Sequence, residues 1–286
     1  MLPNFLIIGA QKAATTWLAE NIAEHPDVFI APAKEIYYFN HRFHQGTDWY
    51  ERHFAEWDGE SAIGEATPGY LPHSNAPSRI AETLDQPRLI ALLRQPIDRA
   101  FSAYWHHVRS SRIDPSTSFV ACLETGDDDF ELLERGAYVS QLERYFSQFG
   151  RDRMLIMLYD QLFTDSASTC TTVFDFLHVD PTFVPSALGE AKNVGGRGVG
   201  VLGGPAQRVR ELVTPVIDRL PPRLRNPALS IGRRAFERIA FDLGPKKAHF
   251  EPLAPETRRR LTTKYFSEEI DRLERLLDVD LGNWKA

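Results

Sequence analysis

Phe5-Leu6-Ile7-Ile8-Gly9-Ala10-Gln11-Lys12-Ala13-Ala14-Thr15-Thr16-Trp17-Leu18 sets the frame for the rest of the chain. Phe5 to Ile8 is a short, wholly apolar run, the pattern of a strand buried on both faces of a parallel sheet. Gly9 breaks it. From Thr15 the pattern changes: Trp17, Leu18 and Ile22 are apolar while Glu20, Asn21 and Glu24 are polar, which reads as an amphipathic helix. A strand, a tight loop carrying a lysine and a helix N-terminus make an anion site. Backbone N–H groups and the positive end of the helix dipole face the same point.

The bulk properties bound what such a site serves. The chain has 286 residues, 43% of them hydrophobic, enough to bury a sizeable core, and a net charge of −6. A molecule of that charge is not built to coat nucleic acid, so an anion site must be a local basic pocket. Cys122 and Cys170 are too few for a disulfide framework and have no metal-ligand spacing, so both are expected reduced and buried. No run approaches the ~20 apolar residues of a membrane span. The N-terminal run lacks the basic flank and length of a signal peptide. A cytoplasmic location is the expectation.

The loop is not a Walker A sequence, which needs a second glycine and then Lys followed directly by Ser or Thr. Here Lys12 comes three residues after Gly9, and the hydroxyls of Thr15 and Thr16 come later. Further along, Val28–Ile30 reads as a strand, and Lys34-Glu35 precedes the aromatic run Tyr37-Tyr38-Phe39. A carboxylate held against aromatic walls is desolvated, which raises its pKa and suits it to accept a proton near neutral pH. An exposed Lys34–Glu35 ion pair is the other reading. Trp49 and Tyr50 read as helix core. Glu65-Ala66-Thr67-Pro68-Gly69-Tyr70 closes another strand and adds a second carboxylate. A helix over 74–84 follows. Arg88–Leu93 is a buried strand ending in Arg94-Gln95-Pro96-Ile97-Asp98-Arg99, with proline at the first turn of a helix and Ser102 and Tyr104 beyond. A helix over 140–149, a strand over 154–159 and a helix to about 177 continue the alternation. Alternating strands and helices mean a parallel sheet covered on both faces.

Taken together, the loop, the Lys34-Glu35-aromatic segment and the Arg94–Tyr104 stretch resemble the PAPS-dependent sulfotransferases, in the carbohydrate (heparan-type) and bacterial branch; PAPS is 3′-phosphoadenosine 5′-phosphosulfate. The resemblance implies an α/β fold with a P-loop-like parallel sheet, as one domain over 1–286 with a basic helical insertion or cap over about 198–245. It implies that Gln11, Lys12, Ala13, Ala14, Thr15, Thr16 and Trp17 form the phosphosulfate loop, with Lys12 also stabilising charge on the bridging oxygen. Glu35 is the implied general base, without a metal. Arg94 and Ser102 take the 3′-phosphate. Gln95 stands where the family has Asp or Asn, which is expected to weaken local capping. Tyr138, in Arg135-Gly136-Ala137-Tyr138, is expected near the nucleotide. Glu65 is expected to line the acceptor cleft, with Tyr37, His41 and His106 as further acceptor-side candidates.

The last third is less readable. Arg197, with Lys192, lies in a basic glycine-rich stretch that is a candidate to close over the 3′-phosphate, and Lys246 and Lys247 compete with it. Residues 208–238 carry eight arginines against three acidic residues. Such a segment fits either a solvated helical cap or a contact with a membrane surface or partner. Residues 256–277 read as a final amphipathic helix, and Leu281-Gly282-Asn283-Trp284 is expected to pack it down. The function expected is transfer of a sulfuryl group from PAPS to a hydroxyl of a small-molecule, lipid or carbohydrate acceptor, leaving 3′,5′-ADP. The alternatives are an ATP-dependent P-loop kinase and a non-catalytic nucleotide- or membrane-binding protein.

Overall fold

Five strands form one all-parallel sheet: β1 (Phe5–Gly9), β2 (Val28–Ile30), β3 (Ala62–Ala66), β4 (Arg88–Leu93) and β5 (Met154–Leu158), in the order β2-β3-β1-β4-β5. The structure is a computed structural model that describes residues 1–110, 112–125, 130–186, 188 and 252–286. The insertion expected over 198–245, the basic 208–238 stretch, Lys192, Arg197, Lys246 and Lys247 lie outside the described residues.

The two central strands explain the uninterrupted apolar runs. Phe5 to Ile8 and Leu89 to Leu93 are all 0% exposed, because both faces of each strand are covered. Each such side chain contributes about 1.5–3 kcal/mol of burial. Phe5 pairs in register with Gly64 on one side and Arg88 on the other. A Cβ at Gly64 would stand 2.3 Å from the Phe5 ring, so only glycine lets that ring lie across β3.

Parallel strands require crossovers, and helices supply them here: α1 (Thr15–Ile22), the short α2 (Thr47–Glu51), α3 (Ala76–Thr83), α4 (Pro96–Arg109), α5 (Phe119–Glu124), α6 (Tyr138–Phe149), α7 (Tyr159–Thr164) and α8 (Ser166–Leu177), followed by α9 (Pro255–Leu277) and α10 (Gly282–Lys285). They flank the sheet: α8 packs on α1 and α7, and α6 packs on α3 and α9. The expected single helix to residue 177 is two helices. Asp165 breaks it by accepting from the Ser168 N–H at 2.9 Å, which caps α8 as a new start.

The described residues divide into two compact units, one containing residues 1–100, 130–186, 188 and 253–286, and the other containing 101–110 and 112–125. Within the first, the sheet builds outward from β1 through β3 to β2, then switches to the other side of β1 at β4. In open α/β sheets the crevice beyond the strand carboxyl ends at such a switch is where ligands bind. The loops after β1, β3 and β4 all leave from that edge.

Gln95 behaves differently from expectation. Its Oε1 accepts from the Asp98 N–H at 2.7 Å, so α4 is capped after all. The longer side chain also lets Nε2 donate to Thr262 Oγ1 at 2.6 Å and to the Trp284 carbonyl at 3.1 Å. Trp284 is fully buried with its indole N–H on Asp160 Oδ2 at 3.1 Å, so the closing Leu-x-x-Trp does pin the C-terminal helices down. Cys170 is buried as expected, whereas Cys122 is half-buried on α5, which buries Phe119 and Leu123 instead; both thiols are free. Among the described residues no helix is long and apolar enough to cross a membrane.

Candidate functional site

The phosphate side is made of backbone. Lys12 and Ala14 both adopt left-handed conformations, φ 72° and 68°, which non-glycine residues enter at a cost and which cluster at ligand-holding loops. Ala14 is also the residue preceding α1; it offers no side-chain cap, and no acidic residue stands in the first turn. The first-turn N–H groups of a helix have no carbonyl of their own to bind, so Thr15, Thr16 and Trp17 present amides together with the positive helix end. Trp17 is 3% exposed, and its Nε1 is buried without a hydrogen-bond partner among the described residues. These features fit the phosphate groups of a nucleotide. Gly9 makes the turn possible: a Cβ there would fall 2.5 Å from Leu71 Cβ, and the Leu71 N–H bonds the neighbouring Ile8 carbonyl at 2.9 Å.

Arg94 completes this side. It follows β4 directly, and its guanidinium donates to the Lys12 carbonyl at 3.1 Å while lying 4.4 Å from the centre of the Tyr159 ring. One planar fork is thereby oriented by two partners and retains further donors. Tyr138, expected near the nucleotide, is fully buried and donates its hydroxyl to the Arg94 carbonyl at 2.9 Å. Burial pushes its pKa up to about 12 against the nearby Arg99 and Arg94 charges. It holds the residue that faces the loop rather than facing the loop itself.

The carboxylate side is made of side chains. Glu35 and Tyr37 are both left-handed, φ 56° and 59°. Glu35 is half-buried, and burial raises its pKa although Lys34, Lys12 and Arg135 each pull it down. Burial thus outweighs three nearby cations, and the carboxyl holds its proton more tightly than an exposed one would. The Tyr37 hydroxyl donates to Glu35 Oε2, so this acceptor-side candidate touches the carboxylate directly.

Glu65 corrects the expectation that it lines a cleft. It is 0% exposed, and its carboxylate accepts from Tyr50 at 3.0 Å, Thr67 at 2.5 Å and Tyr70 at 2.6 Å. Burial raises its pKa, opposed by those hydroxyls and by the Ile36 amide. Both tyrosine hydroxyls are raised well above their usual value, by burial first and by the Glu65 charge second. Around the carboxylate the Tyr38 ring stacks on Tyr50 at 4.3 Å, and Phe39 meets Tyr50 and Tyr70 edge-on at 5.1 and 5.3 Å.

His41 is exposed, with its ring 5.8 Å from Tyr37. Ser102 and His106 lie on the part of α4 that clusters with the second unit, half-buried and exposed respectively. Trp49, expected in the core, is half-buried because only Tyr50 of α2 turns inward. Tyr50, Thr67 and Tyr70 were not singled out as functional from the sequence. The signal for Thr67 and Tyr70 was the Glu-x-Thr-Pro-x-Tyr spacing, which places hydroxyls two and five residues from a carboxylate without saying that they return to it; Tyr50, fifteen residues away, had none.

The sulfotransferase domain family matches residues 2–190. Among characterised proteins, the chain is 41% identical over 106 residues to the membrane-associated sulfotransferase kil1 of Dictyostelium discoideum, covering 36% of this chain and 22% of that protein. It is 31% identical over 201 residues to the bifunctional heparan sulfate N-deacetylase/N-sulfotransferase 4 of Mus musculus, covering 64% and 23%. It is 29% identical over 180 residues to the heparan sulfate glucosamine 3-O-sulfotransferase 3B1 of Mus musculus, covering 62% and 46%. The matches thus span between about a fifth and a half of these relatives' lengths. A solved sulfotransferase from Alicyclobacillus acidocaldarius shares the fold, with a TM-score of 0.72 over 100% of both chains at 24% identity. The family match runs from β1 through α8 and so contains the whole sheet and every loop at its carboxyl edge; the chain belongs to the sulfotransferase domain family.

Proposed function

We propose that the chain transfers a sulfuryl group from PAPS to an acceptor hydroxyl, with Glu35 as the general base. The observation that supports this reading most is Glu35 itself. It is a half-buried carboxyl with a raised pKa, set among cations in the unit that also carries an uncapped phosphate loop. PAPS as donor substrate brings a sulfuryl group already activated by its bond to a phosphate oxygen.

In this reading the loop amides with Thr15 and Thr16 hold the 5′-phosphate. Arg94 holds the 3′-phosphate and so selects PAPS over nucleotides that lack it. Glu35 takes the proton as the acceptor O–H bond breaks and the new oxygen–sulfur bond forms. The bond from sulfur to the phosphate oxygen breaks, its electron pair stays with 3′,5′-ADP, and Lys12 with the α1 N-terminus offsets the charge that develops there. The heparan sulfate relatives make a carbohydrate hydroxyl the first acceptor class to try.

The test is release of 3′,5′-ADP from PAPS with desulfated heparan sulfate and, separately, 2-naphthol as acceptor probes. Acceptor-dependent release unaffected by EDTA, and lowered about 10²- to 10⁴-fold in Glu35→Gln, is the expected result. Turnover of Glu35→Gln at the wild-type rate, or loss of turnover in EDTA, overturns it.

A further inference from the structure

We propose that Glu65 is a positioning residue, holding the general-base segment by controlling which way two neighbouring hydroxyls point. This rests on the reading of Glu35 as the base. Two consecutive backbone amides after Glu35, those of Tyr37 and Tyr38, are anchored by side-chain hydroxyls, and both anchors trace to one carboxylate. The Tyr37 N–H donates to Thr67 Oγ1 at 3.5 Å, the longest contact of the set, and the Tyr38 N–H donates to the Tyr70 hydroxyl at 3.0 Å. Thr67 and Tyr70 each spend their proton on Glu65, at 2.5 and 2.6 Å.

A hydroxyl has one proton and can be turned either way. An acceptor-only carboxylate at 0% exposure draws both protons inward, so both oxygens offer lone pairs outward to the Tyr37 and Tyr38 amides. The polarity of the network is therefore set at Glu65 and read out two bonds away at the backbone of residues 37–38. That backbone needs an external hold, because Glu35 and Tyr37 sit in the left-handed region, which side-chain-bearing residues leave when nothing constrains them. The next stretch is held too: Arg79 donates to the Phe39 and Asn40 carbonyls at 3.0 and 2.9 Å, and Asn40 donates to the Gly69 carbonyl at 3.3 Å. Glu65 is the member of this set whose chemistry fixes direction as well as contact. A displacement of the base by about 1 Å is enough to cost about 100-fold in rate.

The decisive variants keep the shape and change the polarity. In the 3′,5′-ADP release assay with a fixed acceptor probe, Thr67→Val and Tyr70→Phe are expected to lower kcat about 10- to 100-fold. The KM for PAPS and the calorimetric Kd for 3′,5′-ADP are expected to stay within about twofold, since neither residue touches the phosphate loop. Thr67→Ser, which restores the hydroxyl, is expected to recover kcat and the acid limb of its pH profile, whereas Thr67→Val shifts that limb. Added to Glu35→Gln, Thr67→Val is expected to lower the residual rate no further. Glu65→Gln belongs in the series with a thermal melt beside it, and the inference does not depend on its folding. Wild-type kcat and an unmoved acid limb in both Thr67→Val and Tyr70→Phe, while Glu35→Gln is inactive, overturn the positioning role alone. Wild-type turnover in Glu35→Gln instead overturns the base assignment and this inference with it.

Discussion

The loop over Gln11–Trp17 and the segment over Glu35–Asn40 belong to the same unit and are held in opposite ways. The loop is defined by what is left open: an uncapped helix start, an indole N–H without a partner, and an arginine that spends one donor on the Lys12 carbonyl and keeps others. The Glu35 segment is defined by closure, the Tyr37 and Tyr38 amides each bound by a hydroxyl that itself donates to Glu65. Both contain two left-handed non-glycine residues, so both store backbone strain, but only the second is over-determined by its surroundings. The difference fits the two proposed tasks. Anion binding profits from donors that await the ligand, whereas a general base must be in place before the acceptor arrives.

Variants on each side are expected to separate binding from chemistry. The largest effect is expected from Glu35→Gln, a loss of about 10²- to 10⁴-fold in kcat with 3′,5′-ADP affinity unchanged in calorimetry. Lys12→Ala is expected to lower kcat about 10²- to 10³-fold through lost charge stabilisation, measurable as single-turnover release of 3′,5′-ADP. The pH profile of kcat gives the next. Burial raises the Glu35 pKa above the ordinary carboxylate value of 4.5, so its proton is kept to higher pH. The ionised base is therefore fully present only above that raised pKa, and kcat is expected to fall about tenfold per unit below it. An acid limb at or below 4.5 would break the assignment. Gln95→Ala, outside both regions, is expected to cost about 1–3 kcal/mol of stability by thermal unfolding, because it removes the α4 cap and two anchors of the C-terminal helices at once. Tyr138→Phe is the smallest, about 0.5–1.5 kcal/mol. It should weaken 3′,5′-ADP binding by less than Arg94→Ala does, since it touches only the Arg94 carbonyl.

The same contrast decides what was legible in the sequence. The five strands and most helices announced themselves because burial on both faces leaves unbroken apolar runs, as in Phe5–Ile8 and Leu89–Leu93. The strand–loop–helix junction over Gly9–Trp17 was legible because its residues are contiguous. The support for Glu35 was not, because its members come from residues 50, 65, 67 and 70 and meet only through the β2–β3 pairing and the turn after β3. A lone motif with a glutamate therefore read as a substrate contact, when that glutamate is enclosed. The contacts of Tyr138 and Gln95 were hidden for a related reason: each hydrogen-bonds a backbone group far along the chain, and no local pattern encodes that.

The account stands most directly on whether the phosphate side selects the 3′-phosphate through Arg94. Calorimetric titration of wild type and Arg94→Ala with 3′,5′-ADP and with ADP decides it. Tight binding of 3′,5′-ADP that is unaffected by magnesium, much weaker binding of ADP, and loss of that preference in Arg94→Ala are expected. Equal or preferred binding of ADP by the wild type would contradict the account and favour an ATP-using enzyme.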